Sequence, residues 1–419
     1  MIKKKKKILL LSDHALSTSG VGTQARWLIN GLVETGKYSF FCFGGAISHE
    51  SYDIINVNPD FIIKPTKGFG DKSLLRTVLA QIKPDALMLF TDPRFFVWVW
   101  EMADEINQIC PIVYWHLWDN PPVPKFNDVL YESTQAINCI NWPTYEMLKE
   151  RFPQPGKVGY IPHGVPDALY KPIPDDEILK FRKELLGKDK FDDFIALYVG
   201  RNARRKCVSD ILMSWKMFVQ ELEQKYGHKK ATLILHTDPL DPEGPNLHHV
   251  VEMLGIENNI VFSKDRTGFN EMRTIYNVSD VIINSSSNEG FGLPVLEGKM
   301  CGIPSIAIKT GGLTRQIVDH ETGEEYGVAM TPDVRTIVGN QSIPYIFEDY
   351  VSHETRTQAF MKMYEMGSEK RKELGKRALT HAQKHYNLST VISDWDKSLE
   401  KTCNDWELSP EKKWSLVEV

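Results

Sequence analysis

The chain has 419 residues, 42% of them hydrophobic and 25% charged, which is ordinary for a globular protein and leaves room for two or three domains with large buried cores. A net charge of -5 at pH 7 excludes a global attraction to nucleic acid or anionic lipid, so any such partner needs a local basic patch. The six cysteines, at 42, 110, 139, 207, 301 and 403, lack the paired spacing of a metal site and read as reduced thiols of a cytoplasmic protein. Lys3 to Lys7 followed by Ile8 to Leu11 imitates the start of a signal peptide. The apolar run breaks at Ser12, Asp13 and His14, so a lysine-flanked strand is predicted instead, and no stretch is long and apolar enough to span a bilayer.

After that strand, Ser17 to Thr23 lead into a helical pattern through Ala25, Leu28, Ile29 and Leu32 that stops at Gly36. Gly20, Gly22 and Ala25 fit the G-x-G-x-x-A dinucleotide fingerprint formally. The glycines are separated from the strand, however, and the next strand, Phe40 to Phe43, ends in Gly44 and Gly45 without the acid that grips an adenosine ribose, which disfavours a NAD enzyme. Strand signals at Ala86 to Phe90 and Ile112 to Trp115, with a helical stretch Phe95 to Ile109 between them, give the alternation of a mostly parallel α/β sheet. His116 and Asp119 stand just beyond the second of these strands, at the end where such sheets bind ligands. A helix over Thr144 to Arg151 and the run Val158 to Val165 then lead to the Pro-rich stretch Pro162 to Pro174, closed by Asp175, Asp176 and Glu177, which is the predicted linker.

A second strand series begins at Phe194 to Val199. It is followed by Gly200, by a cationic loop containing Arg201, Arg204, Arg205 and Lys206, and by an amphipathic helix through Ile211, Leu212, Trp215 and Phe218. Strand, glycine, cationic loop and helix make a diphosphate site, with Arg204 and Arg205 read as solvated charges. Further strands at Thr232 to His236, Ile260 to Phe262 and Pro304 to Ile308 flank the most informative stretch. There the strand Asp280 to Asn284 runs into Asn288, Glu289, Gly290, Phe291, Gly292 and Leu293, and Pro294 opens a helix carrying Glu297. Two carboxylates eight residues apart thus bracket a glycine-containing loop and a helix N-terminus, a combination suited to a sugar attached to a phosphate. A helix from about Ser368 and another over Leu388 to Leu399 close the chain. The only strict Asp-x-Asp, Asp394 and Asp396, lies on the second of these and reads as solvated surface.

The stretch from Ser286 to Glu297, with its E-x7-E spacing, resembles the signature of glycosyltransferase family 4. Arg201 and Lys206 match the family's Gly-Arg-x4-Lys pattern, except that Cys207 stands where a glycine is usual. Val158 to Val165 is similar to the run that closes the family's first domain, with His163 in place of Asn, and Gly311 and Gly312 resemble its later glycine pair, although Arg315 stands where Glu is commoner. The resemblance implies the α/β GT-B fold, in which two Rossmann-like domains with parallel sheets face each other across a cleft. On this chain it places an acceptor-side domain at residues 1–170, joined by the C-terminal segment 388–419, and a nucleotide-sugar domain at 171–387.

It also implies retaining transfer of a sugar from a nucleotide donor, UDP- or GDP-linked, to a hydroxyl acceptor that is a glycan or small molecule. The implied roles place Arg201 and Lys206 on the diphosphate. Glu289 lies by the donor sugar, Glu297 on the ribose, and the Gly290, Phe291, Gly292 and Leu293 backbone on sugar and phosphate. Gly20, Gly22, His116 and Asp119 line the acceptor side, with His116 beside Glu289 as the second candidate catalytic residue. Fixed cations at the leaving diphosphate make a metal or other cofactor unnecessary. Features similar to phage and large-virus members, namely the Arg201 to Lys206 loop, Gly298 after Glu297, and Pro344 to Asp349, open a second acceptor reading: a hydroxymethylated DNA base, extruded and stacked on Trp115, Trp118 or Trp142. A nucleotide-sugar epimerase and a non-catalytic nucleotide-sugar binder remain as alternatives.

Overall fold

The computed structural model describes residues 4–263 and 267–409, so Lys3 and residues 410–419 of the expected tail lie outside the described residues. The chain divides into two units. Unit 1 comprises residues 1–164, 339–346 and 388–419; unit 2 comprises 165–338 and 347–387. The division falls six residues earlier than the expected 170/171 boundary, and residues 339–346 group with unit 1 rather than unit 2.

In unit 1 the lysine-flanked run forms β1 (Lys6–Asp13), and Ile8 to Leu11 are buried, as a central parallel strand covered on both faces requires. It is followed by β2 (Tyr38–Gly45), β3 (Ile55–Asn58), β4 (Phe61–Pro65), β5 (Ala86–Thr91), β6 (Ile112–His116), β7 (Ala136–Cys139) and β8 (Val158–Tyr160). The sheet order is β3-β4-β2-β1-β5-β6-β7-β8, parallel throughout except where β3 runs antiparallel to β4. The expected helix Phe95 to Ile109 is broken into a 3-10 turn at Pro93–Phe95 and helices Val97–Trp100 and Ala103–Asn107. Its Val97, Trp98, Val99, Trp100 run has weak helix propensity, and Val99 and Trp100 are spent on the core instead.

The helix Gly20–Glu34 is capped by Ser19, whose hydroxyl accepts from the Gly22 amide. Neither Gly20 nor Gly22 has a positive φ. Gly22 is small for another reason, since a Cβ there would lie 2.6 Å from the His14 carbonyl oxygen. The helix Leu388–Leu408 buries Trp395 in unit 1. Asp396, expected to be solvated, accepts from Lys37 at 2.7 Å and from the Tyr38 hydroxyl at 2.7 Å, and so anchors that helix to the start of β2.

Unit 2 holds a second parallel sheet made of β9 (Phe194–Val199), β10 (Ala231–His236), β11 (Ile260–Ser263), β12 (Val281–Asn284), β13 (Ser305–Ile308) and β14 (Gly327–Met330). Its order is β11-β10-β9-β12-β13-β14. The chain therefore builds outward from β9 to β11 and returns to the other side of β9 with β12. That reversal makes a topological switch point at the carboxyl ends of β9 and β12, where open parallel sheets hold their ligands. A two-stranded sheet of β15 (Val334–Val338) and β16 (Ile346–Tyr350), not expected from the sequence, is inserted after β14. Among the described residues no helix is long and apolar enough to cross a membrane.

Candidate donor-binding site at the switch point of unit 2

The loops that leave β9 and β12 meet side by side, because these two strands are neighbours. The first loop tightens into a 3-10 turn, Arg204–Lys206, before the helix Val208–Tyr226. The second becomes the helix Leu293–Met300, entered through Gly292 at φ +89°, with Pro294 in its first turn. The Ser287 amide donates to the Arg205 carbonyl at 2.7 Å and ties the loops together.

Their meeting places Lys206 against Glu289 in a close ion pair. Glu289 is only 8% exposed, its carboxylate also accepts from Ser286 at 3.2 Å, and Arg205 stands 3.9 Å away. Burial acts to raise the Glu289 pKa, but the Lys206 and Arg205 charges and the Lys206 and Ser286 hydrogen bonds outweigh it and hold the carboxyl below its ordinary value. A buried, ionised carboxylate with two cations beside it is costly unless paired. This pairing therefore keeps both cations in place beside the loop that leads into the helix Leu293–Met300.

Arg205 is thus engaged with Glu289 rather than simply solvated, and it also donates to the Asn288 carbonyl at 2.9 Å. Its position inside the cationic loop was the available signal. Arg204 stays solvent-exposed at its side chain but pairs with buried Glu348 at 2.6 Å. Arg201, expected on the diphosphate, is held by Asp241 through two bonds of 2.9 and 3.0 Å and by Glu243 at 3.1 Å. These acids come from the loop after β10, which the sequence reading did not connect to β9.

Cys207 adopts the left-handed conformation, φ 53° and ψ 38°, that the missing glycine would supply, so the backbone path is kept at the cost of strain. Cys207→Val should lower stability in urea unfolding by about 2 kcal/mol, since a β-branched side chain suits this region worst, whereas Cys207→Gly should stay within about 1 kcal/mol of the parent.

Glu297, one turn into the helix, is partly buried and accepts from the Tyr276 hydroxyl at 2.6 Å. Burial pushes its pKa up to about 7, against the lowering effect of hydrogen bonds from Tyr276 and Tyr170. Neither tyrosine was picked out in the sequence, because each comes from a different stretch of unit 2. The Gly290 to Leu293 loop is clasped by the glycine pair, with the Gly312 amide donating to the Glu289 carbonyl at 2.8 Å. A Cβ on Gly312 would lie 2.3 Å from the Phe291 Cα.

In unit 1, Gly20 and Gly22 begin the first helix, and Asp119 is partly exposed after β6. His116, the candidate for catalysis, is 0% exposed; it bonds to the Tyr131 hydroxyl at 3.0 Å, and burial pushes its pKa down to about 3. β6 carries its last side chain into the core, so His116 is a buried, neutral histidine in this structure. Trp115 is stacked on Phe90 at 3.7 Å, and Trp118 is 3% exposed, so neither offers an open face to an extruded base.

Among the described residues, one group of metal-ligating side chains lies close together: Asp319, His381 and His385, with donor atoms within 4.8 Å. It does not suit a cation. Lys299 Nζ lies 2.9 Å from His381 Nδ1 and so occupies that ring nitrogen, while Nε2 faces Asp319 Oδ2 at 3.6 Å. Arg315 adds a further positive charge beside both histidines.

Residues 181–326, which span this site, match the family model "Glycosyl transferases group 1". The D-inositol 3-phosphate glycosyltransferase of Stackebrandtia nassauensis is 31% identical over 173 residues, 40% of this chain and 37% of that protein. The chain thus aligns with well under half the length of this curated relative. Among solved structures, sucrose-phosphate synthase from Thermosynechococcus elongatus superposes with a TM-score of 0.73 at 17% identity, covering 96% of this chain and 100% of that one. HepE of Anabaena, in complex with UDP and glucose, gives 0.67 at 17% identity, covering 94% and 100%. The fold is GT-B, and the match to the group 1 glycosyltransferase model lies within unit 2.

Proposed function

We propose that the protein is a retaining glycosyltransferase that takes a sugar from a nucleoside-diphosphate donor and transfers it to a hydroxyl of a glycan or small molecule. The observation that carries this reading is the convergence of Lys206 and Arg205 on Glu289 at the switch point of unit 2, in the loop that leads into the helix Leu293–Met300. Departure of a diphosphate develops negative charge on its oxygens, and cations fixed beforehand stabilise that charge without reorganisation. Glu289 holds Lys206 in the free protein. An incoming diphosphate takes over that partner, leaving the Glu289 carboxylate to accept from hydroxyls of the donor sugar. Glu289 thereby positions the sugar, and the leaving phosphate oxygen takes the acceptor proton in a front-face transfer. Glu297 receives the ribose hydroxyls, in line with the family resemblance, and the Gly290 to Leu293 amides face the diphosphate.

UDP is the first nucleotide to test, since HepE, which shares the fold, binds UDP and glucose; GDP is the second. The six cysteines are all free and buried, which supports a reducing, cytoplasmic setting. Thermal-shift and mass-spectrometric screening against UDP-, GDP-, ADP- and dTDP-sugars should show stabilisation and slow sugar release with one of them, and no response to any would overturn the reading. Because Lys206 and Arg205 supply the charge, transfer should persist in EDTA. Loss of activity restored by Mn²⁺ or Mg²⁺ would show that a metal is required after all.

A further inference from the structure

Lys299 lies two residues beyond Glu297 on the same helix and is 0% exposed. Burial pushes its pKa down to about 7. An ionisable side chain is rarely enclosed this fully unless its contacts are specific, and here they are. Nζ donates to the Gln316 main-chain oxygen at 2.7 Å, lies 2.9 Å from His381 Nδ1, and stands 4.8 Å from the centre of the Tyr326 ring. His381 is itself fixed, stacked on Tyr326 at 4.2 Å with its other nitrogen toward Asp319. Asp319 is oriented by amides of Glu321 and Thr322 at 2.8 and 2.9 Å.

Gln316 connects this cluster to the loop. Its main-chain oxygen belongs to the last turn of the short helix Leu313–Ile317, where carbonyls lack helical partners and Lys299 provides one. Its side-chain Nε2 donates to the Phe291 carbonyl at 2.5 Å. In a trans peptide the N–H points opposite to the C=O. A Phe291 carbonyl directed at Gln316 therefore turns the Gly292 N–H to the opposite side. The Glu289 carbonyl, directed at the Gly312 amide, does the same for the Gly290 N–H.

We propose that Lys299 and Gln316 are positioning residues of the donor site: the buried Lys299 amine holds the Gln316 main chain, and the Gln316 side chain holds the Phe291 carbonyl so that the Gly292 amide is aimed at the nucleotide diphosphate. The inference rests on the donor reading above for its ligand, but the loop geometry can be tested without one. Hydrogen exchange of the segment 288–293 should be faster in Gln316→Leu and in Lys299→Met than in the parent, with exchange in β9 and β12 unchanged. Titration with UDP and with GDP should then show weaker binding, about tenfold, of whichever nucleotide the parent binds.

Uridine or guanosine, which lack the diphosphate, should bind parent and variants alike, a contrast that a general loss of structure would not produce. Should Lys299→Met fail to fold, Gln316→Leu carries the test alone. Parent-like exchange in segment 288–293 overturns the positioning role, as does an equal loss for nucleoside and nucleoside diphosphate. Failure of the parent to bind UDP or GDP instead counts against the donor reading, and the exchange result still decides what holds the loop.

Discussion

Lys206→Ala should lower kcat by about 10²- to 10³-fold, the range found when one preorganised group that stabilises a developing anion is removed. Lys206 is the cation in direct contact with Glu289, and its side chain is 16% exposed, so neither water nor a neighbouring flexible lysine readily replaces it. Lys206→Arg should recover part of the loss, because charge is restored but its geometry is not. Glu289→Gln provides the complementary measurement. It removes the carboxylate that competes with phosphate for Lys206 and Arg205, so the free nucleoside diphosphate should bind more tightly. At the same time kcat should fall, because the neutral amide positions the donor sugar less well. Steady-state kinetics together with product-inhibition constants separate the two effects. Unchanged turnover in Lys206→Ala, or weaker product binding in Glu289→Gln, would remove the leaving-group assignment.

Glu297 should give the site its pH dependence. Its carboxyl titrates at about 7 in the folded chain against 4.5 in the free side chain. The native state therefore holds this proton over a range in which the unfolded chain has lost it. The contribution to stability is complete below pH 4.5 and is lost as pH rises through about 7, so this group alone should cost the protein about 1–3 kcal/mol across that window. Glu297→Gln should flatten that part of the stability profile, measured by urea unfolding from pH 4.5 to 8.

Ligand binding runs with the opposite sign. A carboxylate is the better acceptor for two ribose hydroxyls, so donor affinity should rise as pH passes upward through 7, and Glu297→Ala should raise donor KM while changing kcat little. A stability profile for Glu297→Gln parallel to the parent's would show that the shifted ionisation belongs elsewhere.

Much of the architecture was legible because it rests on local chemistry. The apolar runs Ile8 to Leu11 and Phe194 to Val199 are strands buried on both faces, and the passage from β12 through Gly290 and Gly292 to Pro294 is a strand, a tight loop and a helix start. Residue types with fixed backbone preferences at fixed spacing announce such a junction before any folding is considered. The sequence also placed Lys206 and Glu289 in the two loops that meet at the switch point, and Glu297 on the helix that follows the second.

Partnership was decided elsewhere, since which side chains meet depends on strand order, and strand order is set by packing across the whole sheet. The adjacency of β9 and β12 brought Arg205 and Lys206 to Glu289, while the loop after β10 captured Arg201. The sheet of unit 1 enclosed His116, although its position at a strand end suggested access. Lys299 gave no sign of its role, because a lysine on an amphipathic helix normally faces water. Only the convergence of three separate segments, carrying Gln316, Tyr326 and His381, supplies enough contacts to offset the desolvation of its ammonium.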